Sequence, residues 1–425
     1  MNYIEKVIVE GFWGSRTLNF DFHEDINFII GINGSGKTTA INIIVAALTA
    51  DFQELDRLDF SKITIKLKSN TSKKKPSITI NKNPIELSPF SHVEYEIRES
   101  ASEKPTKLSI DSLEEQVMFR RYSNFISERD VYRRHGRAHG QTLNELVNVS
   151  WLSVHRASHT QDEYENEKNI STVDRKLKEL MNRLVRYFST LGKAASEQFE
   201  QFQKEVFLSM LYRKSSKPFF STAKSINIEE EKNALIGIFN QFKVKPKEFE
   251  SRIENHFEAL SKAKEKLGTE EGLNITDISV LIGTERIDYI VEEWNKSIEK
   301  RTKIFEPRDT YLKIINSMMQ RKTFSINAQN ELQIITQSGK NLPLNKLSSG
   351  EKQLLIVLGE ALLQEKKPWV YIADEPELSL HVTWQETLVE NLRSINPNAQ
   401  IIFATHSPDV VSIFNEKVFD MEKMF

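Results

Sequence analysis

The hydrophobic pattern near the start of the chain predicts a strand, a glycine-rich loop and a helix in that order. The residues before Gly11 alternate as in a strand, and Ile26–Ile30 is an almost wholly apolar run. Such a run is typical of a strand buried on both faces of a sheet. It leads directly into GINGSGKT, residues 31–38, and helical apolar spacing begins at Thr38.

Further strands are predicted downstream of this unit. Short strands separated by the turn sequences TSKKKPS and NKNP cover the segment from Ile63 to Ile97. WLSVHR, residues Trp151–Arg156, has the composition of one more strand.

Helical spacing replaces strand spacing from about residue 160 to residue 321. The first apolar stripe consists of Leu177, Leu180, Met181, Leu184, Val185, Phe188 and Leu191, and the second of Ile287, Ile290, Val291, Trp294, Ile298 and Phe305. Each stripe predicts a long helix. We interpret this region as a self-packed lobe or coiled-coil-like arm rather than a catalytic segment.

Strand patterns return after the helical region. Residues 323–344 predict a hairpin with turns at Asn330 and Gly339. A helix opened by LSSGEKQ follows, and then two buried strands that end in YIADEPE and ATHSP. The pattern predicts an α/β fold with one ATPase-like head in two halves, residues 1–159 and 323–425, separated by a helical insertion at residues 160–322.

Composition narrows the class of protein. The 425 residues favour more than one structural unit. The formal net charge of −2 excludes a global field that would recruit nucleic acid or an anionic membrane, so any such binding must be local. Cysteine is absent, which excludes disulfides and thiolate metal sites. No signal sequence or membrane span is apparent, and a soluble cytoplasmic protein is expected.

GINGSGKT fits the phosphate-binding loop G-x-x-x-x-G-K-[ST] in the required context of strand and helix. Its backbone amides are expected to face phosphate groups, with Lys37 reaching the β and γ phosphates of ATP and Thr38 binding Mg²⁺. The alternative is an ordinary glycine turn. The predicted nucleotide contacts in this loop are Gly31, Asn33, Gly34, Ser35, Gly36, Lys37, Thr38 and Thr39.

The ends of the two later strands carry the remaining candidate chemistry. Asp374 is suited to hold Mg²⁺, and Glu375 to polarise or deprotonate the attacking water. His406 is suited to contact a γ-phosphate or that water. The alternatives are exposed acids at a strand end and a structural histidine.

LSSGEKQ offers a second anion site, because Ser348, Ser349 and Gly350 begin a helix with free amides. Its alternative is a simple helix cap in which a serine pairs with the following glutamate.

The ordered set GINGSGKT, LSSGEKQ, ADEPELSLH and ATHSP resembles the ABC-type ATPase heads of the structural-maintenance-of-chromosomes (SMC), RecF and OLD families, of the AAA15 and AAA21 kind. DEPE followed by SLH and ATHSP is most similar to antiphage defence ATPases such as AriA of PARIS and PtuA of Septu. The resemblance implies an ABC-type P-loop head that hydrolyses ATP. It covers the two head segments and not the helical insertion.

In such heads a signature sequence, which corresponds to LSSGEKQ here, begins a helix that completes the nucleotide site of the neighbouring subunit. The resemblance therefore implies a homodimer or higher homo-oligomer, in which Ser348 and Gly350 contact ATP in trans and residues 378–381 lie at the contact. The Mg²⁺-sensing glutamine of the family could be Gln141 or Gln161. Phe12 or Trp13 could stack on adenine, although a core role is an alternative.

Three functions were considered, of which the first two are expectations. The first is a defence ATPase that responds to a phage-derived trigger and controls a separate effector, because the short segment after His406 leaves no room for a nuclease domain of the OLD type. The second is a RecF- or SMC-like repair ATPase that clamps DNA, with basic clusters at Lys73–Lys75 and at Arg129, Arg133, Arg134 and Arg137. A transporter subunit is disfavoured, because its signature would lie much closer to the phosphate loop.

Overall fold

The computed structural model describes residues 2–69, 74–84, 91–100, 103–109, 143–153, 171–211, 228–266 and 272–424. The chain forms two compact units. The head unit comprises Met1–Val185 and Thr310–Phe425, and the helical unit comprises Arg186–Asp309. The predicted α/β head interrupted by a long helical insertion is confirmed.

The described strands all lie in the head unit, whereas the described elements of the helical unit are all helices. The strands are β1 (Asn2–Phe12), β2 (Arg16–Asp21), β3 (Ile26–Ile30), β4 (Lys62–Ser69), β5 (Ser77–Pro84), β6 (Ser91–Arg98), β7 (Thr106–Ser109), β8 (Val149–Ser153), β9 (Lys322–Ile326), β10 (Leu332–Thr336), β11 (Val370–Asp374), β12 (Gln400–Ala404) and β13 (Val418–Asp420). The α-helices are α1 (Lys37–Thr49), α2 (Phe52–Arg57), α3 (Thr172–Ser209), α4 (Ile228–Gln241), α5 (Pro246–Lys266), α6 (Ile275–Met318), α7 (Ser349–Leu362), α8 (Val382–Ile395) and α9 (Pro408–Val411).

A parallel sheet of order β13-β3-β12-β11-β8 carries the functional loops. Its central strands are buried, as their apolar runs predicted. Because all of its strands run in the same direction, their carboxyl ends meet at one edge. The phosphate loop follows β3 there, the acidic segment follows β11, and the histidine segment follows β12.

An antiparallel sheet of order β2-β1-β4-β5-β6-β7 supplies the second layer of the head. Helix α1 shares one apolar core with this sheet and with the parallel one. The buried side chain of Gln400 at the start of β12 exchanges two 2.8 Å hydrogen bonds with the backbone of Ile4 in β1. A buried amide paired in this way ties the two sheets at a defined register.

The signature helix α7 packs along the first turns of α3 within the head unit. Lys352 pairs with Asp174 at 2.7 Å, and Arg183 pairs with Glu360 at 2.6 Å. A side chain at Gly359 would approach Leu180 to 2.7 Å, so this glycine permits the close contact. The beginning of the long helix α3 is thereby attached to the helix that carries the signature.

The helical unit has cores of its own. One apolar cluster surrounds Phe257 and Leu260 of α5, and another joins Phe202, Ile238 and Trp294. The two long helices predicted from the apolar stripes are present as α3 and α6. Ile298 of the second stripe departs from the expected pattern, because 39% of its surface is exposed.

The predicted hairpin at residues 323–344 is confirmed, since β9 and β10 pair and both Asn330 and Gly339 have positive φ. The helical unit is shorter at both ends than the predicted insertion of residues 160–322, whose boundaries stay a prediction. None of the helices in the described residues is both long and apolar enough to cross a membrane. Lys73, the four arginines of the basic run, Gln141, Gln161 and residues 154–156 lie outside the described residues.

Candidate functional site

The phosphate loop has a backbone that requires glycine. Gly34 and Gly36 have φ values of 83° and 93°, in the left-handed region that side chains disfavour. A Cβ at Gly36 would also lie 2.9 Å from the rings of Phe12 and Trp13. Gly36 is the N-cap of α1 and supplies no side-chain cap, so the first amides of the helix are available to an anion.

The other predicted loop residues surround this helix end. Asn33 and Gly34 are exposed at the tip of the loop, and Thr39 lies in the first turn of α1. The hydroxyl of Ser35 is buried and has no hydrogen-bond partner among the described residues. A buried hydroxyl without a partner is costly in a closed core, and it fits a loop whose polar groups serve a ligand.

Lys37 points from the start of α1 across the strand ends. Its Nζ donates to the carbonyl of Gly31 at 2.8 Å and to that of Ile32 at 3.2 Å. Burial lowers the pKa of Lys37, and the nearby carboxylates of Glu375 and Asp374 oppose that shift. The ammonium is therefore held in a poorly solvated position among acids, where it can pair with phosphate.

His406 lies between Lys37 and Glu375. Its Nε2 is 2.7 Å from Nζ of Lys37 and 3.1 Å from Oε1 of Glu375. One neutral ring nitrogen either accepts or donates, so it cannot accept from Lys37 and donate to Glu375 at the same time. The three side chains thus form a cluster whose hydrogen bonds depend on the tautomer of the histidine.

Glu375 has an unusual backbone that directs it to this cluster. Its φ is 48°, which is rare for a residue other than glycine, and its amide donates to the carbonyl of Ala404 at 2.8 Å. The bond to the end of β12 holds the strained residue in place. Such strain commonly occurs at functional sites.

Thr38 and Asp374 form the candidate metal pair. The hydroxyl of Thr38 donates to Oδ1 of Asp374 at 3.2 Å. Hydroxyl and carboxylate oxygens are the donors that Mg²⁺ prefers, and the pair lies one residue from Lys37 on one side and Glu375 on the other. The residues present therefore fit a magnesium site beside the phosphate loop.

Glu377, which the sequence interpretation missed, connects the acidic and histidine segments. Oε1 of this buried carboxyl accepts a hydrogen bond from the hydroxyl of Thr405 and one of 3.2 Å from the amide of His406. Burial raises the pKa of Glu377, although the bond from Thr405 opposes the shift. The third acid of DEPE was the only sequence signal, and it does not reveal the partner across the sheet.

The start of the signature helix contacts the loop that follows Glu375 in the same chain. Ser348 is the N-cap of α7 and forms a capping box with Glu351. A Cβ at Gly350 would lie 2.2 Å from the carbonyl oxygen of Ser379, so the helix packs directly on the loop after Glu375. Nε2 of Gln353, which was also missed, donates to the carbonyl of Pro376 at 2.8 Å.

The predicted helix-cap alternative is therefore present in the structure. The hydrogen bonds that the Ser348 side chain makes in the described residues join it to Glu351, and none reaches the phosphate loop. Ser348 and Ser349 are exposed at the end of the helix. The structure brings together the phosphate loop, the acids and the histidine, but it does not bring the signature serines to the same loop.

Two other sequence predictions concern the aromatic residues expected near the nucleotide and the loop expected at the dimer contact. Phe12 is fully buried in the head core, whereas 42% of the surface of Trp13 is exposed beside Gly36. Trp13 is thus the better placed of the two to meet a nucleotide base. In the loop expected at a dimer contact, Leu378 is exposed, but Leu380 is buried in its own chain.

The chain was also compared with known protein families, curated proteins and solved structures. Residues 2–411 match the family model described as an AAA ATPase domain. A probable ATPase of retron Vc95 from Vibrio cholerae serotype O1 biovar El Tor is 33% identical over 89 residues, which are 18% of this chain and 17% of that protein. A spermidine/putrescine import ATP-binding protein, PotA, from onion yellows phytoplasma is 29% identical over 142 residues, 32% of this chain and 33% of PotA.

A putative ABC transporter ATP-binding protein of Clostridium acetobutylicum is 30% identical over 110 residues, which are 25% of this chain and 38% of that protein. The chain spans less than two fifths of the length of each of these three curated relatives. Among solved structures, an Smc head domain of Pyrococcus furiosus bound to the C-terminal domain of ScpA aligns with a TM-score of 0.42 and 16% identity, over 97% of this chain and 91% of that one. Because the family model spans nearly the whole sequence, the chain belongs to the AAA ATPase domain family.

Proposed function

We propose that this protein hydrolyses ATP to ADP and phosphate at the cluster formed by Lys37, His406 and Glu375. The observation that carries the proposal is the meeting of these side chains within 3.1 Å of His406 Nε2, beside the glycine loop and the Thr38–Asp374 pair. A cation, a base and a polar ring at the end of a phosphate loop are the groups that phosphoryl transfer requires.

Each side chain has a definite task in this reaction. Glu375 accepts a proton from the water that attacks the γ-phosphorus, and the bond between that phosphorus and the β–γ bridging oxygen breaks. Lys37 and His406 donate hydrogen bonds to the charge that develops on the phosphate oxygens. Mg²⁺, held by Thr38 and Asp374, would neutralise part of the triphosphate charge.

The signature helix acts on the nucleotide of a second copy of the chain. Ser348 and Ser349 are exposed at the helix end, while their helix is packed on the loop of Pro376 and Ser379 in its own chain. The free amides and partial positive charge of this helix end suit a triphosphate. ATP bound between two heads explains why the serines do not reach the phosphate loop of their own chain.

The biological role that we propose is nucleotide-controlled regulation of a separate effector in antiphage defence. The DEPE, SLH and ATHSP segments support it, because they resemble the corresponding segments of antiphage defence ATPases. A RecF- or SMC-like clamp on DNA is the competing role. Lys74, in the first of the predicted basic clusters, is exposed and lies 3.7 Å from the carboxylate of Glu99.

Glu375→Gln tests the ATPase and the pairing together. The variant keeps the size of the side chain but cannot accept the proton, so it should bind ATP with Mg²⁺, fail to hydrolyse it and accumulate as paired heads. Light scattering after gel filtration reports the mass, and phosphate release reports turnover. Glu390→Gln, an exposed position on α8, is the matched control and should behave as the parent. Turnover by Glu375→Gln at the parental rate would refute the assigned base.

A separate experiment distinguishes the two biological roles. Cells that carry the gene with its genomic neighbours should restrict phage plaques, and Lys37→Ala should abolish that restriction. A DNA clamp instead predicts ATP-dependent DNA affinity that falls steeply with salt in the purified protein. Salt-dependent DNA binding without any effect on plaques would favour the clamp.

A further inference from the structure

Glu351 places a negative charge at the end of the signature helix. Its Oε2 accepts hydrogen bonds from the amide and the hydroxyl of Ser348, at 2.9 and 3.1 Å. This capping box stabilises the helix itself. A carboxylate at this point would nevertheless repel a triphosphate that approaches the same helix end.

Lys322, the first residue of β9, forms an ion pair with the other oxygen of this carboxylate. The pair is largely shielded from water, with 21% of the lysine side chain and 12% of the glutamate side chain exposed. Burial raises the pKa of Glu351, but the bonds from Lys322 and Ser348 outweigh burial and hold it below its ordinary value. The carboxylate is therefore ionised at neutral pH, and Lys322 is the cation that balances it.

Hydrogen bonds to the strand that begins with Lys322 fix the backbone position of this residue. The hairpin that begins with Lys322 is attached to the end of α6 by Asn316. The Asn316 amide group donates to the carbonyl of Phe324 at 2.9 Å, and its oxygen accepts from the amide of Phe324 at 2.7 Å. This pair of bonds holds the start of β9 beside the first turn of α7.

We propose that Lys322 is a positioning residue for ATP-dependent pairing of two copies, because its ammonium cancels the charge of Glu351 where the signature helix meets the triphosphate of the partner. The inference rests on the proposed function, in which the signature acts in trans. It adds that a glutamate in this signature requires a cation from the hairpin that follows the helical insertion.

The test uses the full chain in the Glu375→Gln background and measures the ATP concentration that gives half-maximal pairing. Lys322→Met should raise this concentration about tenfold, because it leaves a negative charge beside the triphosphate. Adding Glu351→Gln to Lys322→Met should restore pairing to near the parental level. Glutamine retains the capping box while it removes the charge.

Two controls separate this role from a purely structural one. Lys367→Met breaks a surface ion pair with Glu365 and should leave pairing unchanged. The defect of Lys322→Met should also shrink at high salt, which screens the unbalanced charge. Circular dichroism and thermal melting establish that each variant is folded.

The outcomes are distinct. Pairing by Lys322→Met at the parental ATP concentration would overturn this inference alone. Failure of Glu351→Gln to rescue Lys322→Met would also overturn it, since Lys322 would then act directly on phosphate or only on the fold. If the Glu375→Gln parent does not pair with ATP at all, the proposed function fails and the inference fails with it.

Discussion

Nζ of Lys37 lies 2.7 Å from Nε2 of His406, although 369 positions separate the two residues in the chain. Nε2 of His406 also lies 3.1 Å from Oε1 of Glu375. A phosphate group that pairs with Lys37 would leave the histidine to interact with the glutamate or with water, so in the proposed reaction phosphate binding and catalysis are connected through the ring of His406.

Lys37→Ala should reduce ATP turnover by more than about a hundredfold, because the variant loses the ammonium that pairs with the phosphate oxygens in the proposed reaction. Turnover is measured as phosphate release at saturating ATP and Mg²⁺. Lys303→Ala, which alters an exposed pair with Glu299 in the helical unit, is the control and should keep the parental rate. Full activity of Lys37→Ala would place the site elsewhere.

Glu377→Ala should lower kcat by about tenfold or more, because it removes the acceptor that holds the backbone of His406 and the hydroxyl of Thr405. Glu377→Gln should keep most of the activity, since an amide oxygen can accept the same bonds. Steady-state kinetics of Glu377→Ala and Glu377→Gln give the kcat of each variant for comparison with the parent. Equal loss in both would show that the charge of Glu377, rather than its hydrogen bonds, is required.

Gly350→Ala should disturb the signature helix, because the new Cβ would lie 2.2 Å from the carbonyl of Ser379. Overpacking against a backbone atom costs about 1–3 kcal/mol of unfolding free energy. ATP-dependent pairing should weaken as the helix end shifts. Gly283→Ala in α6 is the matched control, because its Cβ would meet no atom of the described residues within 4 Å, and it should stabilise the protein by up to about 1 kcal/mol. Equal melting temperatures and equal pairing in the two variants would contradict this packing argument.

Glu231 should make the stability of the protein depend on pH. Burial and then a hydrogen bond with Asp288 raise its pKa from 4.5 to about 9. Between these values the folded state binds more protons than the unfolded state, so this contribution to stability is lost as the pH rises towards 9. The helical unit should therefore melt at a lower temperature as the pH is raised from about 5 to about 9.

Glu231→Gln is the comparison for that measurement. The amide resembles the protonated carboxyl and does not titrate, so the variant should lose less stability over the same pH range. Parallel melting curves for the parent and the variant at every pH would show that Glu231 is not the group responsible.

Local sequence patterns were sufficient to predict the secondary-structure elements that carry the candidate site. The apolar run of β3, the glycines of the phosphate loop and the spacing of α1 each depend on neighbouring residues, and all three were predicted. The hairpin of β9 and β10 was predicted for the same reason. Periodicity could not show that Ile298 is exposed, because an apolar stripe does not reveal which part of a long helix has a partner.

The residues that sequence reasoning missed all act through distant partners. Glu377 bonds to a strand end 28 and 29 positions away, and Lys322 pairs with Glu351 across 29 positions. Neither belongs to a recognised phosphate-loop pattern, so neither could be selected by spacing. Gly350 was predicted as a nucleotide contact, yet its closeness to Ser379 is a packing relation that only the structure reveals.

The sequence by itself determined the order of strand, loop and helix, the glycines of the loop and the identity of the candidate acids and histidine, because these depend on local backbone preference and side-chain chemistry. The tertiary structure decided which of them meet. Parallel strands bring the ends of β3, β11 and β12 to one edge, so Lys37, Glu375 and His406 form a single cluster. It also decided that the signature helix packs beside Ser379 with Lys322 at its tip, since both contacts join residues that lie far apart along the C-terminal segment and meet only when that segment folds.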